Sequence, residues 1–375
     1  MQPPPRIGFF LATSGHSGFD RAMKNLIPSV AKRGYQVELI KIKNHGPYLD
    51  SQESNFKIIN LKTKHVYSSF FYLIKYLSKN PPEILLTDKD RVNRTAIIAR
   101  LISRAKTKLF VRCGTTVSIN LSSRGVVDRL IQKNSMKTLY KLANKVLVPA
   151  KSVAYDMASY TGLDINHIKC VPSPVVKDDI FTQEFPLPHH PWYLKKSNPI
   201  ILGAGELCKR KDFETLIKSF KIVLQQIECK LIILGKGRKR EGLLRLVKDL
   251  EIKNYVDFPG FVSNPYSYMA HSDVFVSSSL WEGSSFVLVE ALAVGTPVVS
   301  TNCPGGHEEV LNKGKFGKLV PVKDPEKMAE AILETLKNPP DPEFIKLAAK
   351  PYTISASTDA YLKAFGLPPY WDRRP

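Results

Sequence analysis

At 375 residues the chain is long enough for two domains, each with its own apolar core. Its five cysteines (Cys113, Cys170, Cys208, Cys229, Cys303) are odd in number, scattered and without a CxxC pair, which argues against a zinc site or disulfide framework and for a reducing compartment. The net charge of +21 is uneven: residues 1–190 carry 29 Lys and Arg against 13 Asp and Glu, and the rest 26 against 21, so a polyanionic partner is expected on the first half.

The stretch Arg6 to Thr13 is short and runs straight into small-residue turn chemistry, so it reads as a first strand and not as a signal peptide. No apolar run reaches the roughly 18 residues of a membrane-spanning helix, and a soluble or peripheral protein is expected. After the loop Ser14–Gly18, apolar spacing predicts a helix over Phe19 to Arg33, then a strand over Tyr35 to Ile42. This βαβ opening announces a parallel, doubly wound sheet. GxGxxG is absent, which excludes the dinucleotide fingerprint, although the loop's amides up to Gly18 can approach a phosphate or sugar at the helix N-terminus.

Val66 to Leu77 reads as a dense aromatic helix with a core or domain-packing role. Glu83 to Thr87 is a strand ending in Asp88-Lys89-Asp90, a DxD form that holds manganese in some enzymes. With no second acidic cluster, no metal site is expected. A helix over Asn93 to Arg104 and a strand over Lys108 to Arg112 lead to the small polar loop Cys113 to Thr116, at the strand end where open sheets bind ligands. From Arg91 to Lys145 there are 13 Lys and Arg and one acid, Asp128. Arg129, Lys133, Lys137, Lys141 and Lys145 recur every four residues, as one stripe of a helix. That stripe is either a solvated face or a dock for an anionic membrane surface. With only Tyr140 among them, aromatic platforms for single-stranded nucleic acid are lacking, and no nucleic acid is expected.

Asn144 to Val148 is a strand, Lys151 to Thr161 a helix and Ile168 to Val171 a strand. Residues 177–199 are rich in Pro and charge and read as an interdomain linker. The domains are therefore 1–176 and 200–350, with 351–375 as a final helix and tail. The second domain restarts with the strand Ile200 to Gly203, the basic turn Gly205 to Asp212 and the helix Phe213 to Ile227. The strand Lys230 to Leu234, the helix Glu241 to Leu250 and the strand Val256 to Phe258 follow, with a turn at Pro259-Gly260.

The most informative element runs from Asp273 to Thr301. Val274 to Ser278 is a strand, Leu280 to Ser285 a polar loop with Gly283, Phe286 to Val294 a helix, and Val298-Val299 a strand. The helix is apolar all round and therefore buried, with Glu290 as its one charge. A buried carboxylate costs several kcal/mol unless paired, so Glu290 either pairs with a cation or accepts bonds from ligand hydroxyls. Beyond lie Pro304-Gly305-Gly306-His307-Glu308-Glu309, a strand over Lys318 to Val322, and helices over Pro325 to Leu336 and Thr353 to Gly366.

Four stretches occur in one order: GAGELCKRKDF at 203–213, LIILGKG at 231–237, VDFPGFV at 256–262, and WEGSSFVLVEALAVGTPVVST at 281–301 with PGGHEEV after it. Together they resemble the retaining glycosyltransferases of the two-Rossmann (GT-B) type, often called family 4, of bacterial envelope polysaccharide and lipopolysaccharide synthesis. The resemblance implies an α/β fold of two Rossmann-like domains facing across a cleft, with a last helix returning to the first domain. It implies a metal-independent transferase that moves a hexose or N-acetylhexosamine from a UDP- or GDP-sugar to a glycan or lipid-linked acceptor, with no cofactor, at the inner face of the cytoplasmic membrane. Glu282 would reach the donor sugar's hydroxyls and Glu290 the ribose hydroxyls. Gly283, Ser284, Ser285 and Phe286 would offer the diphosphate a helix N-terminus, Arg210 and Lys211 would face it, and Gly260-Phe261-Val262 would hold the base. The chain departs from the family at Glu206, where Arg is common, at Ser284-Ser285, where Phe-Gly is common, and at Gly114, where a histidine is frequent. His16 is either a substitute for that histidine or a surface loop residue. A nucleotide-sugar epimerase or hydrolase of the same fold is the alternative.

Overall fold

The computed structural model describes residues 3–15, 17–50, 53–122 and 125–370. It divides into two compact units, residues 1–175 with 352–375, and residues 176–351. In the first, β1 (Arg6–Leu11), β2 (Gln36–Ile42), β3 (Phe56–Leu61), β4 (Ile84–Asp88), β5 (Lys108–Arg112), β6 (Lys145–Val148) and β7 (Ile168–Cys170) form one sheet. Its order is 3-2-1-4-5-6-7, and every pair is parallel. The central strands are apolar and buried: Ile7, Phe9, Phe10, Leu85, Leu109 and Val146 are almost wholly out of solvent. Such runs are what a parallel sheet covered by helices on both faces requires.

The second unit repeats the plan. β8 (Ile200–Ala204), β9 (Lys230–Leu234), β10 (Val256–Gly260), β11 (Val274–Ser277), β12 (Val298–Thr301) and β13 (Lys318–Val320) pair in parallel in the order 10-9-8-11-12-13. Both units are thus Rossmann-like. In each, the strand order reverses between the first strand and the fourth, and the crevice outside the carboxyl ends at that point is where such sheets take ligands.

The last helix, Ile354–Phe365, belongs to the first unit and is fastened by buried polar chemistry. Arg112 at the end of β5 is 3% exposed. It donates to Tyr361 Oη at 3.0 Å, to Ser173 Oγ at 3.0 Å and to Asp88 Oδ1 at 3.3 Å. Burial raises the pKa of Asp88, and the guanidinium opposes that rise. Asp88 is therefore committed to Arg112, and Asp90 pairs with Arg94 at 2.9 Å. The DxD form of Asp88-Lys89-Asp90 is a pair of structural ion pairs. Gly114 sits against the same cluster: a Cβ there would lie 2.8 Å from Arg112 Nη1. A larger residue at 114 would have to displace a guanidinium held on three sides, which is a physical reason for the missing histidine.

Several expectations are corrected. Residues 177–199 are not a free tether but lie in the second unit, where Pro191–Leu194 forms a helical turn. Tyr193 in that turn is buried and bonds Ser272 Oγ at 2.7 Å, and His190 Nε2 lies 2.9 Å from Asp257 Oδ2. The prolines fix φ along a packed segment. The aromatic helix spans Ser69–Lys79 and turns Leu73 and Leu77 inward, leaving Phe71 75% and Tyr72 42% exposed. The basic stripe is shorter than its spacing suggests. The helix is Val126–Leu139, Lys141 sits in the 3-10 turn Tyr140–Leu142, and Lys145 opens β6. The apolar strand signal of Val146-Leu147-Val148 overrides the four-residue recurrence.

Candidate active site

In the second unit the loops after β8 and β11 meet at the strand-order reversal. Ser278 Oγ donates to Lys211 O at 2.9 Å, and the Leu280 amide donates to Arg210 O at 2.8 Å. Gly205 starts the first of these loops at φ +152°, and a Cβ on it would lie 2.8 Å from Lys211 Cε. Glycine at 205 therefore lets the lysine stem fold back over its own loop.

These loops bring Glu282, Arg210 and Lys211 into one cluster. The Glu282 carboxylate is 5% exposed. Oε1 lies 2.7 Å from Lys211 Nζ and accepts from Ser279 Oγ at 3.0 Å, and Oε2 accepts from Arg210 Nη1. Burial favours its neutral form, yet Lys211 and Arg210 outweigh burial and hold its pKa below the ordinary carboxylate value. The backbone is fixed as well: the Glu282 amide donates to Pro304 O at 2.9 Å, and a Cβ at Gly305 would come within 2.5 Å of Glu282 O. Two cations and one anion leave the cluster a net positive charge. The side chain of Lys211 is 9% exposed and that of Arg210 31%, so the arginine is the more accessible cation.

Eight positions beyond Glu282, with seven residues between, Glu290 lies inside the helix Phe286–Ala293 and is 1% exposed. Leu288, Val289, Ala291, Leu292 and Ala293 are buried around it, as the all-apolar pattern predicts. Tyr266 Oη donates to Glu290 Oε1 at 3.4 Å. No side chain caps this helix, and the Ser285 hydroxyl, in a residue 2% exposed, has no hydrogen-bond partner. First-turn amides without a side-chain acceptor suit an arriving anion. Gly283 is buried and Ser284 half-buried in the loop before it.

Gly260, Phe261 and Val262 follow at the carboxyl end of β10, where Gly260 adopts φ +94° and Phe261 is 67% exposed. Glu206 is exposed beside the cluster's loop. Gly18 is in the first unit, as the first residue of the helix Gly18–Lys32. That helix already has its anion: Asp20 Oδ2 accepts from the Ser17 amide at 2.9 Å while Ser17 Oγ accepts from the Asp20 amide. A capping box of this kind works against the phosphate role expected of the Gly18 loop. His16 lies outside the described residues. Among the described residues, no group of three or more His, Cys, Asp or Glu is arranged to hold a metal ion.

Sequence reasoning left four members of the site without a role: Tyr266, Ser279, Gly305 and His307. His307 is fully buried, with Nδ1 3.0 Å from Thr301 O and 2.8 Å from Ser300 Oγ. A carbonyl can only accept, so Nδ1 carries the proton and the Nε2 lone pair is left buried without a partner. Burial pushes its pKa down to about 4, against the pull of the Glu282 carboxylate. The folded state therefore binds no proton here between about pH 6.5 and 4, whereas the unfolded chain does. Stability from this group is complete above pH 6.5 and falls by roughly 3 kcal/mol as pH drops to 4. The Glu282 contribution persists to lower pH, because its folded pKa is depressed, and is lost only as pH falls through that value. Thermal melts between pH 7 and 4 should show the first slope in wild type and a flatter one in His307→Gln. Equal slopes would mean that another group titrates.

Residues 189–351 match the family model described as Glycosyl transferases group 1. Over 344 residues the chain is 27% identical to the N-acetylgalactosamine-N,N'-diacetylbacillosaminyl-diphospho-undecaprenol 4-alpha-N-acetylgalactosaminyltransferase of Campylobacter jejuni, covering 89% of this chain and 90% of that one. It is 32% identical over 178 residues to the lipopolysaccharide core biosynthesis glycosyltransferase LpsE of Rhizobium meliloti, 46% of this chain and 51% of that one. Among solved structures, the apo lipopolysaccharide outer core galactosyltransferase WaaB aligns with a TM-score of 0.76 at 17% identity, over 96% of this chain and 99% of that chain. Anabaena HepE in complex with UDP aligns equally well, with a TM-score of 0.76 at 14% identity over 96% and 99%.

Proposed function

We propose that the chain, whose residues 189–351 match the Glycosyl transferases group 1 model, moves a hexose or N-acetylhexosamine, with retention, from a nucleotide-sugar to a lipid-linked or lipopolysaccharide-type acceptor. The observation that carries this reading is the cluster of Arg210, Lys211 and buried Glu282 at the strand-order reversal, followed by an uncapped helix holding Glu290. Its parts divide the labour. Arg210, the more exposed cation, meets the donor diphosphate together with the helix N-terminus at Ser284 to Phe286, and Lys211 keeps Glu282 ionised and aimed at sugar hydroxyls. Both carboxylate oxygens of Glu290 suit the two vicinal hydroxyls of a ribose. Phe261, exposed at the end of β10, offers its ring to the base.

As the sugar–phosphate bond breaks, negative charge grows on the leaving diphosphate, and two cations at that place lower the barrier without a metal. The acceptor hydroxyl attacks from the leaving-group face, and a donor phosphate oxygen takes its proton. UDP is the first nucleotide to try, because HepE is seen with UDP and aligns over nearly the whole chain. Transfer should persist in a chelator, and the product's anomeric configuration, read by NMR, should equal the donor's. Inversion, or free sugar released without any acceptor, would replace this reading with another transferase class or a hydrolase.

The acceptor reading rests on the first unit. Among the described residues no helix is long and apolar enough to cross a membrane. The helix Val126–Leu139 nevertheless exposes Val126, Val127, Leu130 and Ile131 by half or more, while Gln132 and Met136 turn inward. At 100° per residue these four apolar side chains share one face, and Arg129, Lys133 and Lys137 fall along its border. An apolar face with a cationic border suits an anionic bilayer at the cytoplasmic side, where each basic residue is worth about 1 kcal/mol. Co-sedimentation with anionic but not neutral vesicles is expected, with loss on charge reversal at Lys133, Lys137 and Lys141. Binding that ignores lipid charge would contradict it.

A further inference from the structure

A basic hollow of the first unit lies at the carboxyl ends of β2 and β3, and nothing in the donor chemistry uses it. It encloses about 760 Å³ and is lined by Lys41, Lys43, Asn44, Tyr48, Asn60 and Lys62 over a floor of Leu61. Three lysines line it, with no carboxylate among the described lining residues. Lys41 Nζ stands 5.0 Å from the centroid of the Tyr48 ring, so one of the three is turned onto an aromatic face. The wall is tied to the loop after β1: Thr13 and Gly46 form an antiparallel bridge, with N–H···O distances of 3.2 and 3.0 Å, and Tyr48 packs against Gly15 so closely that a Cβ there would lie 2.2 Å from Cε2. The hollow therefore has a braced rim and lies on the carboxyl side of the sheet at its β2–β3 edge, apart from the strand-order reversal. Asn60, Leu61 and Lys62 also wall a neighbouring cavity of about 460 Å³, whose lining adds Lys75 and Lys79.

We propose that this hollow binds a glycosyl phosphate, the charged end of the acceptor, with Lys41, Lys43 and Lys62 on phosphate oxygens and Asn44, Asn60 and Tyr48 on the sugar. Three like charges confined to one cavity repel, and an anion with two or more negative charges relieves that repulsion while accepting a bond from each. Amide and phenol groups beside them can both donate to and accept from hydroxyls, as a sugar requires. The neighbouring Lys75 and Lys79 extend the positive field for a second phosphate. The assignment rests on the acceptor role of the first unit, but its charge chemistry is independent of the donor cluster.

The test uses the full chain, wild type and Lys43→Glu/Lys62→Glu, two exposed positions whose change should spare the fold. N-acetylglucosamine 1-phosphate and inorganic pyrophosphate are titrated by calorimetry, with N-acetylglucosamine as the uncharged control. The thermal shifts with UDP and with GDP are measured in parallel. Expected are one equivalent of glycosyl phosphate bound to wild type, binding about tenfold or more weaker in the double variant, none of the neutral sugar, and an equal UDP shift in both proteins. Wild type that takes up no glycosyl phosphate at millimolar concentration, or a double variant that binds it as tightly, would overturn the proposal. So would capture by anionic vesicles that depends on these two lysines while glycosyl phosphate binding does not, since the hollow would then serve lipid headgroups. Lysine-dependent binding in a protein that shows no shift with UDP or with GDP would leave this site standing and remove the donor reading instead.

Discussion

Glu290→Ala should lower kcat/KM for the nucleotide-sugar by roughly 30- to 1000-fold, the equivalent of about 2 to 4 kcal/mol of lost transition-state binding. The residue is 1% exposed in an otherwise apolar helix, where an ionised carboxylate is costly to hold. Two origins for it differ in what they do to stability. If its role were structural, removing it would leave its partners unsatisfied, and the melting temperature would fall with activity. If its role is to receive ribose hydroxyls, activity falls while the melting temperature of the ligand-free protein stays close to wild type. The second pattern is expected, with the stabilisation by UDP largely lost in the variant. A large fall in melting temperature with normal turnover would return Glu290 to the structural role.

Lys211→Met has the larger effect on stability. It leaves the buried Glu282 carboxylate with Arg210 as its remaining cation, and breaking a buried pair by removing one partner costs about 3 to 5 kcal/mol. For a unit of this size that corresponds to a fall in melting temperature on the order of 10 °C. Removing the two buried charges, as Lys211→Met/Glu282→Leu, should recover most of the stability, because the one charge left, Arg210, is 31% exposed and open to water. Turnover should not recover with it, since the carboxylate facing the sugar is gone even though Arg210 still faces the diphosphate. A double variant that regains activity would show that the cluster only braces the loops after β8 and β11.

Local pattern carried much of this structure. Lys108–Arg112 and Lys230–Leu234 are strands, and Lys151–Thr161 a helix, with the ends that their apolar spacing indicates. The buried position of Glu290 was readable because it is the one charge in a helix otherwise apolar all round. What the chain concealed was long-range or masked by a competing signal. β3, Phe56–Leu61, was not foreseen: Lys57 and Asn60 interrupt its apolar run at the edge of the sheet. Phe71 and Tyr72 read as core because aromatic residues usually are, yet Leu73 and Leu77 took the inward face, with Phe70 packed partly buried against the same core. Lys145 kept a helical recurrence into a strand. The grip of Arg112 on Tyr361 spans 249 positions, and that of Arg210 on Glu282 spans 72, so no window of sequence holds either pair. His307 stood in a quoted motif, but only the fold shows that its Nδ1 faces a carbonyl and that Glu282 bears on it.

The central claim is that the second unit takes a nucleotide-sugar through Glu282, Arg210, Lys211 and Glu290. Calorimetric titration of the full chain with UDP, UDP-sugars and GDP-sugars, repeated on Glu290→Ala, tests it most directly. One nucleotide-sugar should bind wild type with a one-to-one stoichiometry and bind the variant at least about tenfold more weakly. Absence of binding by every nucleotide-sugar, or equal binding by wild type and variant, would contradict the account.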